Sequence, residues 1–411
     1  MFIIPILQRR HKWCRILVAR EDRNRESRKL TRIKSTDKIF SIIPFLLGLS
    51  YSVYSVTLRT KIGMLAGSNY PYMILITSME TIPGIFSVIM GYYIDKFGGG
   101  LSVIFGFLAS ISLLVFPLAS LNILPILVFV FVSSYMLYTP IIYGFILKKA
   151  MGSGKRLGLL LMMQSIGWTL GGLFPATFSL FGAIDFGFVF SSLMLLFSTW
   201  LLSIMEKPVK SVVSTVTSLN DFARAISLNW GISLGIIMWS SAYSMMSGVF
   251  SLKLYNSVNS EFEYGIYFTV LTGIASIIVR PYAGIIVDKV APIKIILASI
   301  IAYLILSLAL VIATPALIVI LWITPIYPFF DTASYSLLSK AMGEKFQFTA
   351  AGIMSTSMSI GGAINFLLYN FLKTQEFESL LFIASAIFFI SIIWYLFLFS
   401  KVLTSFRCKE R

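Results

Sequence analysis

The sequence predicts an all-α membrane protein, with twelve transmembrane helices arranged as two pseudo-symmetric halves of six. Three observations carry that reading. Hydrophobic residues fill 57% of the 411 positions and charged residues only 12%, against roughly 25% charged in soluble proteins. The apolar residues fall in continuous runs of about 20, the length that crosses a bilayer, so that twelve runs occupy about 240 residues. Motifs in the first half recur in the second at a nearly constant displacement. Continuous runs imply helices, because barrel strands would be about ten residues long and alternate in polarity.

Taken in order, the runs 39–58, 71–94, 101–118, 125–147, 157–180 and 186–205 give the first six helices. The runs 230–250, 265–287, 293–313, 315–338, 349–372 and 379–400 give the second six. The chain then divides into a basic cytoplasmic tail (1–38), a first bundle (39–205), a cytoplasmic linker (206–229), a second bundle (230–400) and a basic cytoplasmic tail (401–411). The linker holds Pro208, many Ser and Thr, and a short amphipathic stretch near 219–228.

Direction follows from the basic residues. The chain has 33 Lys and Arg against 17 acids, a net charge of +16. With the N-terminus in the cytoplasm, only Arg59, Lys61, Lys253 and Lys373 fall in outside loops, leaving 29 inside. Both termini of an integral cell-membrane protein are therefore expected in the cytoplasm. Twelve of the 33 stand in the first 38 positions, an excess that in a soluble chain would suggest nucleic acid. Here it reads as a tail lying against anionic lipid, and no nucleic-acid partner is expected.

Several chemistries lack their residues. Cys14 and Cys408 stand near opposite ends and His11 is the one histidine, so no disulfide framework, metal cluster or Ser/His/Asp set is available. No phosphate-binding loop is present either. No enzyme, metal or cofactor is expected.

The internal repeat is the strongest organisational signal. Gly91-Tyr-Tyr-Ile-Asp95-Lys96 follows the second span, and Gly284-Ile-Ile-Val-Asp288-Lys289 follows the eighth, 193 positions on. Lys149-Ala150-Met151-Gly152 returns as Lys340-Ala341-Met342-Gly343 after 191. Gly158 with Ser165-Ile166-Gly167 returns as Gly352 with Ser359-Ile360-Gly361 after 194. An aspartate at a helix end can cap a neighbouring helix N-terminus or pair with Lys or Arg, and Gly91 and Gly284 allow close approach of helices.

On these residues the chain resembles the major facilitator superfamily. Gly91-x3-Asp95-Lys96-x-Gly98 looks like that family's signature between spans two and three, with Gly284-x3-Asp288-Lys289 a weaker second copy. The resemblance covers all twelve spans but not the N-terminal tail. It implies the family's fold, secondary transport by alternating access, and a conformational latch at Gly91, Asp95, Lys96, Gly98, Gly284, Asp288 and Lys289. Gly99 and Gly100 stand where the family has basic residues, so the latch charge is expected from Lys148, Lys149, Lys155 or Arg156. Gly158-x8-Gly167-x3-Gly171-Gly172 is similar to the glycine-rich fifth span of the family's drug–proton antiporters, with Gly172 in place of a proline. The same glycines also read as small-residue packing between the halves.

Three ionisable residues fall inside predicted spans, where burial is costly without a partner: Glu80, Arg280 and Asp331. At 1.5 Å per residue, Arg280 and Asp331 both lie about 12–14 Å from the inside boundary, and since the resemblance implies that their helices lie close together they are expected to pair. Glu80, just before Pro83-Gly84, has no partner visible in the sequence. It is the first candidate for proton coupling, with Asp331 the second; a structural carboxyl and a substrate counter-ion are the other readings of Glu80.

The resemblance further implies that spans 1, 4, 7 and 10 line a central cavity. Here they carry Tyr51, Tyr54, Tyr135, Tyr138, Tyr143, Trp239, Tyr243, Tyr327 and Tyr335, whose rings can stack on a small organic solute. Gln164 and Trp168 from span five, with Asn365 and Tyr369 from span eleven, add polar candidates. Pro140, Pro325 and Pro328 are expected to bend spans four and ten. The leading expectation is a monomeric, proton-coupled secondary transporter of a small organic solute, as in drug or metabolite efflux. Its partners are the solute, protons and the lipid bilayer. An organic-anion uniporter or exchanger using Arg280, and a non-transporting membrane sensor or scaffold with the tail as output, are the alternatives. Deleting 1–35 separates the last, since a transporter keeps its flux.

Overall fold

The computed structural model describes residues 35–407 apart from 68, 151, 206–218 and 259. The basic tail up to residue 34, most of the linker and the last four residues lie outside the described residues. Six helices form the first half: α1 (Ser35–Ala66), α2 (Tyr70–Phe97), α3 (Gly100–Leu113), α4 (Leu124–Ala150), α5 (Gly154–Leu180) and α6 (Phe186–Met205). Six form the second: α7 (Leu219–Ser257), α8 (Glu261–Lys289), α9 (Pro292–Val311), α10 (Pro315–Met342), α11 (Gln347–Leu367) and α12 (Phe377–Arg407). The stretch near 219–228 is the beginning of α7 and not a separate element.

Among the described residues eleven segments are long and apolar enough to cross a membrane, and α11 is the one of the twelve helices outside that set. Its sequence is rich in small polar residues, among them Thr349, Thr356, Ser357, Ser359 and Asn365. It packs on α2, α4 and α7, and a helix enclosed by protein needs no broad lipid-facing stripe. The outer helices do present one. Ile104 and Leu108 on α3, Phe197 on α6, Ile305 on α9 and Phe389 on α12 are all exposed, as residues in contact with lipid chains would be.

Packing repeats as the sequence does. α1 lies on α5 and α6 as α7 lies on α11 and α12, and α3 lies on α6 as α9 lies on α12. The halves join through α5 with α8 and through α2 with α11. Glycine decides how close these two pairs come: a Cβ on Gly91 would collide with the Phe348 carbonyl of α11, and one on Gly284 with the Gly154 carbonyl of α5. The glycines of α5 serve the same close packing, Gly158 against the Arg280 carbonyl and Gly167 and Gly171 against carbonyls of α1.

Three of the described helices are interrupted along their length. α2 tightens into a 3-10 turn at Ile82–Phe86, where Pro83 removes an N–H from the α-helical ladder. α8 widens into a π turn at Ile266–Leu271. α10 breaks between Pro315–Ile323 and Tyr327–Met342, at Pro325. Pro140, by contrast, sits inside an unbroken α4.

The first helix of each half runs further than its hydropathy suggested, so Arg59, Lys61 and Lys253 stand in helices and not in loops. The two lysines find polar partners at the helix ends. Lys61 Nζ donates to the Phe116 and Pro117 carbonyls (3.1 Å each) and to Asp185 (2.9 Å). Lys253 Nζ donates to the Leu310 carbonyl (3.2 Å) and sits 3.8 Å from the Phe377 ring centre.

Candidate functional site

The two repeated aspartates sit at one end of the bundle and do the same thing across the two interfaces. Asp95, at the end of α2, accepts from the backbone N–H (2.7 Å) and hydroxyl (2.7 Å) of Thr349 and from the Phe348 N–H (3.4 Å). It thereby caps the N-terminus of α11, in the other half. Asp288, at the end of α8, accepts from the N–H groups of Gly154 (2.7 Å) and Lys155 (2.9 Å) and from the Ser153 hydroxyl (3.4 Å), capping α5. A carboxylate on free N–H groups at a helix start meets the positive end of the dipole. Of the four basic residues expected near the first loop, Lys148 reaches it, with Nζ 4.4 Å from the Phe348 ring centre. Lys96 lies over Tyr92 and Phe97, Gly98 closes α2 at φ +94°, and Lys289 ends α8.

Further along the bundle, Tyr143 of α4 and Tyr335 of α10 stack with ring centres 5.2 Å apart. Tyr143 Oη accepts from Gln164 Nε2 at 2.7 Å. On the far side of this pair lies a cavity of about 400 Å³ with walls from both halves. That is within the few-hundred-Å³ range of small-molecule sites. Tyr51 and Tyr135, stacked at 5.1 Å, Trp168, Tyr243, Tyr327 and Trp322 give it an aromatic lining.

Two ion pairs stand at its walls. Arg59 of α1 binds Glu80 of α2 with both terminal nitrogens (3.1 and 2.6 Å) and also donates to the Ser55 carbonyl (3.3 Å). The guanidinium lies over Phe268 of α8, 5.6 Å from its centre. Arg280 of α8 binds Asp331 of α10 through Nη1 alone (2.8 Å). Its Nε donates to the Ser165 hydroxyl of α5 at 2.7 Å, across the interface between halves. Thr356 of α11 makes the matching crossing on the other side. Its hydroxyl faces the Gly84 (3.1 Å) and Ile85 (3.0 Å) carbonyls of the 3-10 turn and accepts from the Val88 N–H (2.9 Å).

Glu80 thus has a partner, where the sequence suggested none. The predicted first span stopped at residue 58, one short of Arg59, whereas α1 continues about two turns beyond. Tyr51, Tyr143, Gln164, Trp168, Tyr243 and Tyr327 line the cavity with Tyr135, Tyr335, Glu80 and Arg280. Asp331 is buried beside Arg280 and is not itself a wall residue.

Tyr54, Tyr138 and Asn365 do not face the cavity. Tyr54 is enclosed by Phe116, Phe131 and Phe188 inside the first half. Tyr138 Oη meets the Ser198 hydroxyl of α6 at 3.3 Å. Each stands three residues after a lining tyrosine, a step that turns a side chain about 60° around the helix. Asn365 ties α11 to α7, donating to the Ser241 carbonyl (2.8 Å) and the Ser244 hydroxyl (2.7 Å). Trp239 likewise stacks on Phe330 at 3.6 Å within the second half, and Tyr369 lies past the end of α11.

Thr356, Phe268 and Trp322 carry no signal in the sequence, and Ser165 stands there only as part of the internal repeat. Arg59 had a usable signal: Tyr51-Ser52-x-x-Ser55 followed by Lys61 returns as Tyr243-Ser244-x-x-Ser247 followed by Lys253. Both first helices must then continue through their lysine.

The sequence profile described as Major Facilitator Superfamily matches residues 40–366. No curated protein matches the chain in sequence. Among solved structures, a mutant of the nucleoside transporter NupG is similar in fold, with a TM-score of 0.64 at 12% identity over 87% of this chain and 98% of that one. A variant of the E. coli fucose:proton symporter FucP gives 0.58 at 14% identity, over 87% and 97%. The human organic anion transporter MFSD10 (TETRAN) gives 0.61 at 11% identity, over 87% and 98%.

Proposed function

The chain belongs to the major facilitator superfamily, and from that membership we propose that it carries a small organic solute across its membrane by alternating access, coupled to protons. One observation supports this most directly: a solute-sized cavity whose walls come from both halves, while the contacts closing one end cross between halves. Rocking one half against the other breaks the Asp95 and Asp288 caps and exposes the cavity at that end. The positive-inside asymmetry makes that end the cytoplasmic one, with both termini there. Transporters with this fold include ones named for nucleosides, for fucose with protons and for organic anions. Small polar solutes of that kind suit a cavity lined by tyrosines, tryptophans and ion pairs. Glu80 and Asp331 are the carboxylates available to take the coupled proton.

The test is uptake into proteoliposomes holding the full chain, with labelled nucleosides, sugars and aromatic acids offered one at a time. At least one solute is expected to accumulate against its gradient, and a protonophore should remove the accumulation while leaving exchange intact. Accumulation that survives the protonophore would overturn proton coupling. A trap across the latch checks the alternation: Lys155→Cys with Asp288→Cys should stop flux on oxidation and recover with reductant.

A further inference from the structure

We infer that the solute is a ring-bearing organic monoanion, a carboxylate, held by Arg280 and accompanied by one proton on Asp331; this rests on reading the cavity as a transport site. It starts from how the two arginines are used. Arg59 spends both terminal nitrogens on the two oxygens of Glu80. Arg280 is equally buried but gives Asp331 a single nitrogen, and its Nε goes to Ser165. Its Nη2 has no protein partner among the described residues, and Arg280 is a wall of the cavity. A guanidinium with unused N–H groups turned towards a cavity is a fork for a carboxylate, and Lys offers no such fork.

The surroundings suit the rest of such a molecule. Gln164 and Ser165 neighbour the arginine on α5, and the Tyr143–Tyr335 stack closes the cavity on the latch side. Tyr51, Tyr135 and Trp168 offer ring faces on the first half. A flat ring therefore has stacking partners while its acid group stays at Arg280.

Charge decides the rest. Each ion pair in the walls is neutral, so a bound monoanion alone would leave one uncompensated negative charge in a low-dielectric site. One proton restores the balance. An O–H bond forms on Asp331 and its ion pair with Arg280 opens. The two oxygens of the solute then take Nη1 and Nη2. On release the proton leaves Asp331 and the pair closes again, so one carboxylate and one proton move together with no net charge. The titratable groups around Asp331 are Arg280 from α8, Tyr143 from α4, Tyr243 from α7, Tyr303 from α9, and Tyr327 and Tyr335 on its own helix. Asp331 is the one carboxylate among them.

The experiment titrates the purified full chain with benzoate, phenylacetate and indole-3-acetate, and with the amides of the same three acids. Binding is read from tryptophan fluorescence, since Trp168 and Trp322 line the cavity, and from thermal stability. Acids are expected to bind at least about tenfold more tightly than their amides. Because binding takes up a proton, affinity should rise as pH falls, by up to about tenfold per pH unit while the acid stays ionised. Asp331→Asn should make acid binding independent of pH. Arg280→Lys should weaken it about tenfold while the protein stays folded. The double variant Arg280→Gln with Asp331→Asn, which leaves no unpaired charge, should lose the preference for acids over amides.

Equal binding of acids and amides, no binding of either, or an acid preference that persists in the double variant overturns the inference. If nucleosides or sugars enter the proteoliposomes while acids neither bind nor compete, this inference fails and the transporter reading stands. If no solute of any class moves, both fail.

Discussion

The two ion pairs in the cavity wall are alike in composition and burial and unlike in geometry. The side chains of Arg59 and Glu80 are 11% and 5% exposed, those of Arg280 and Asp331 7% and 5%, so solvent access does not distinguish them. Arg59 meets Glu80 through two parallel bonds, and both belong to the first half. Arg280 meets Asp331 through one bond and reaches Ser165 of the other half with its Nε. The first pair is a closed unit inside one rigid body. The second is open, with Arg280 Nη2 left without a partner among the described residues, and it reaches across the interface between the halves. Neither pair is part of the internal repeat: the positions matching Arg59 and Glu80 are Ser251 and Gly273, and Arg280 matches Ser87. What the two halves share is their frame, the capping aspartates, the end lysines and the stacked tyrosines. The charges that bear on chemistry were placed once each.

The largest expected effect tests whether the first pair is structural. Arg59→Gln leaves Glu80 buried and alone, a change that costs about 3–5 kcal/mol. It should appear as a large fall in thermal stability, mostly recovered by adding Glu80→Gln. Arg280→Gln should cost clearly less, because Asp331 loses one hydrogen bond to its arginine where Glu80 loses two. Equal losses for Arg59→Gln and Arg280→Gln would erase the distinction between the pairs.

A second comparison separates the two latches. Asp95 is buried and accepts three hydrogen bonds, two of them from Thr349, while Asp288 is half-exposed. Asp95→Asn should weaken its junction by about 1.5–3 kcal/mol, the range for hydrogen bonds to a charged group. Asp288→Asn should cost about 0.3–1 kcal/mol, the worth of a carboxylate charge at a part-exposed helix N-terminus. Both shift the population towards the conformer open at that end, and labelling of a cysteine placed at the buried Ala350 should speed up more in the Asp95 variant. Equal labelling rates would show that burial of the cap is immaterial.

These contrasts also mark what could be read from sequence. The frame is legible because it is written twice: Asp95 and Asp288 stand at the repeat offset, and each caps a neighbouring helix N-terminus, as a carboxylate at a helix end can. The Arg280–Asp331 juxtaposition is legible from depth, since rise per residue converts position into height, together with the closeness of the two helices that the family resemblance implies. Arg59 is not legible in this way, because hydropathy ends the span at the first charged residue, whereas a paired arginine can sit further in. Tyr54, Tyr138 and Asn365 were misassigned for another reason. Helices that are apolar all round carry little rotational information, so depth was available and facing was not. Ser165 and Thr356 are single hydroxyls in a chain rich in them, and their contacts exist only after two rigid halves have docked.

Ser165 gives the smallest effect and the finest test of the comparison. Its hydroxyl takes the side-chain hydrogen bond by which the open pair reaches the other half, while the closed pair has Phe268 as its cross-half neighbour. Ser165→Ala removes one hydrogen bond to Arg280 Nε, at a cost of roughly 1 kcal/mol in the conformer where that bond is made. The Arg280–Asp331 bond does not depend on it, so overall stability should change little. The effect belongs to the equilibrium between conformers, shifting it by about a factor of five towards the one open at the Asp95 and Asp288 end. Labelling at that end should therefore accelerate, while the match between Arg280 and an acid solute is retained. Thr356→Val, made against the 3-10 turn of α2, is the control. It loosens the other cross-half seam without touching either arginine, so it too should speed labelling, but it should leave the pH dependence of acid binding where it was. A shift of that dependence in Thr356→Val would mean that the whole interface tunes the Arg280–Asp331 pair, and that its openness is not a local property of Ser165 and the cavity.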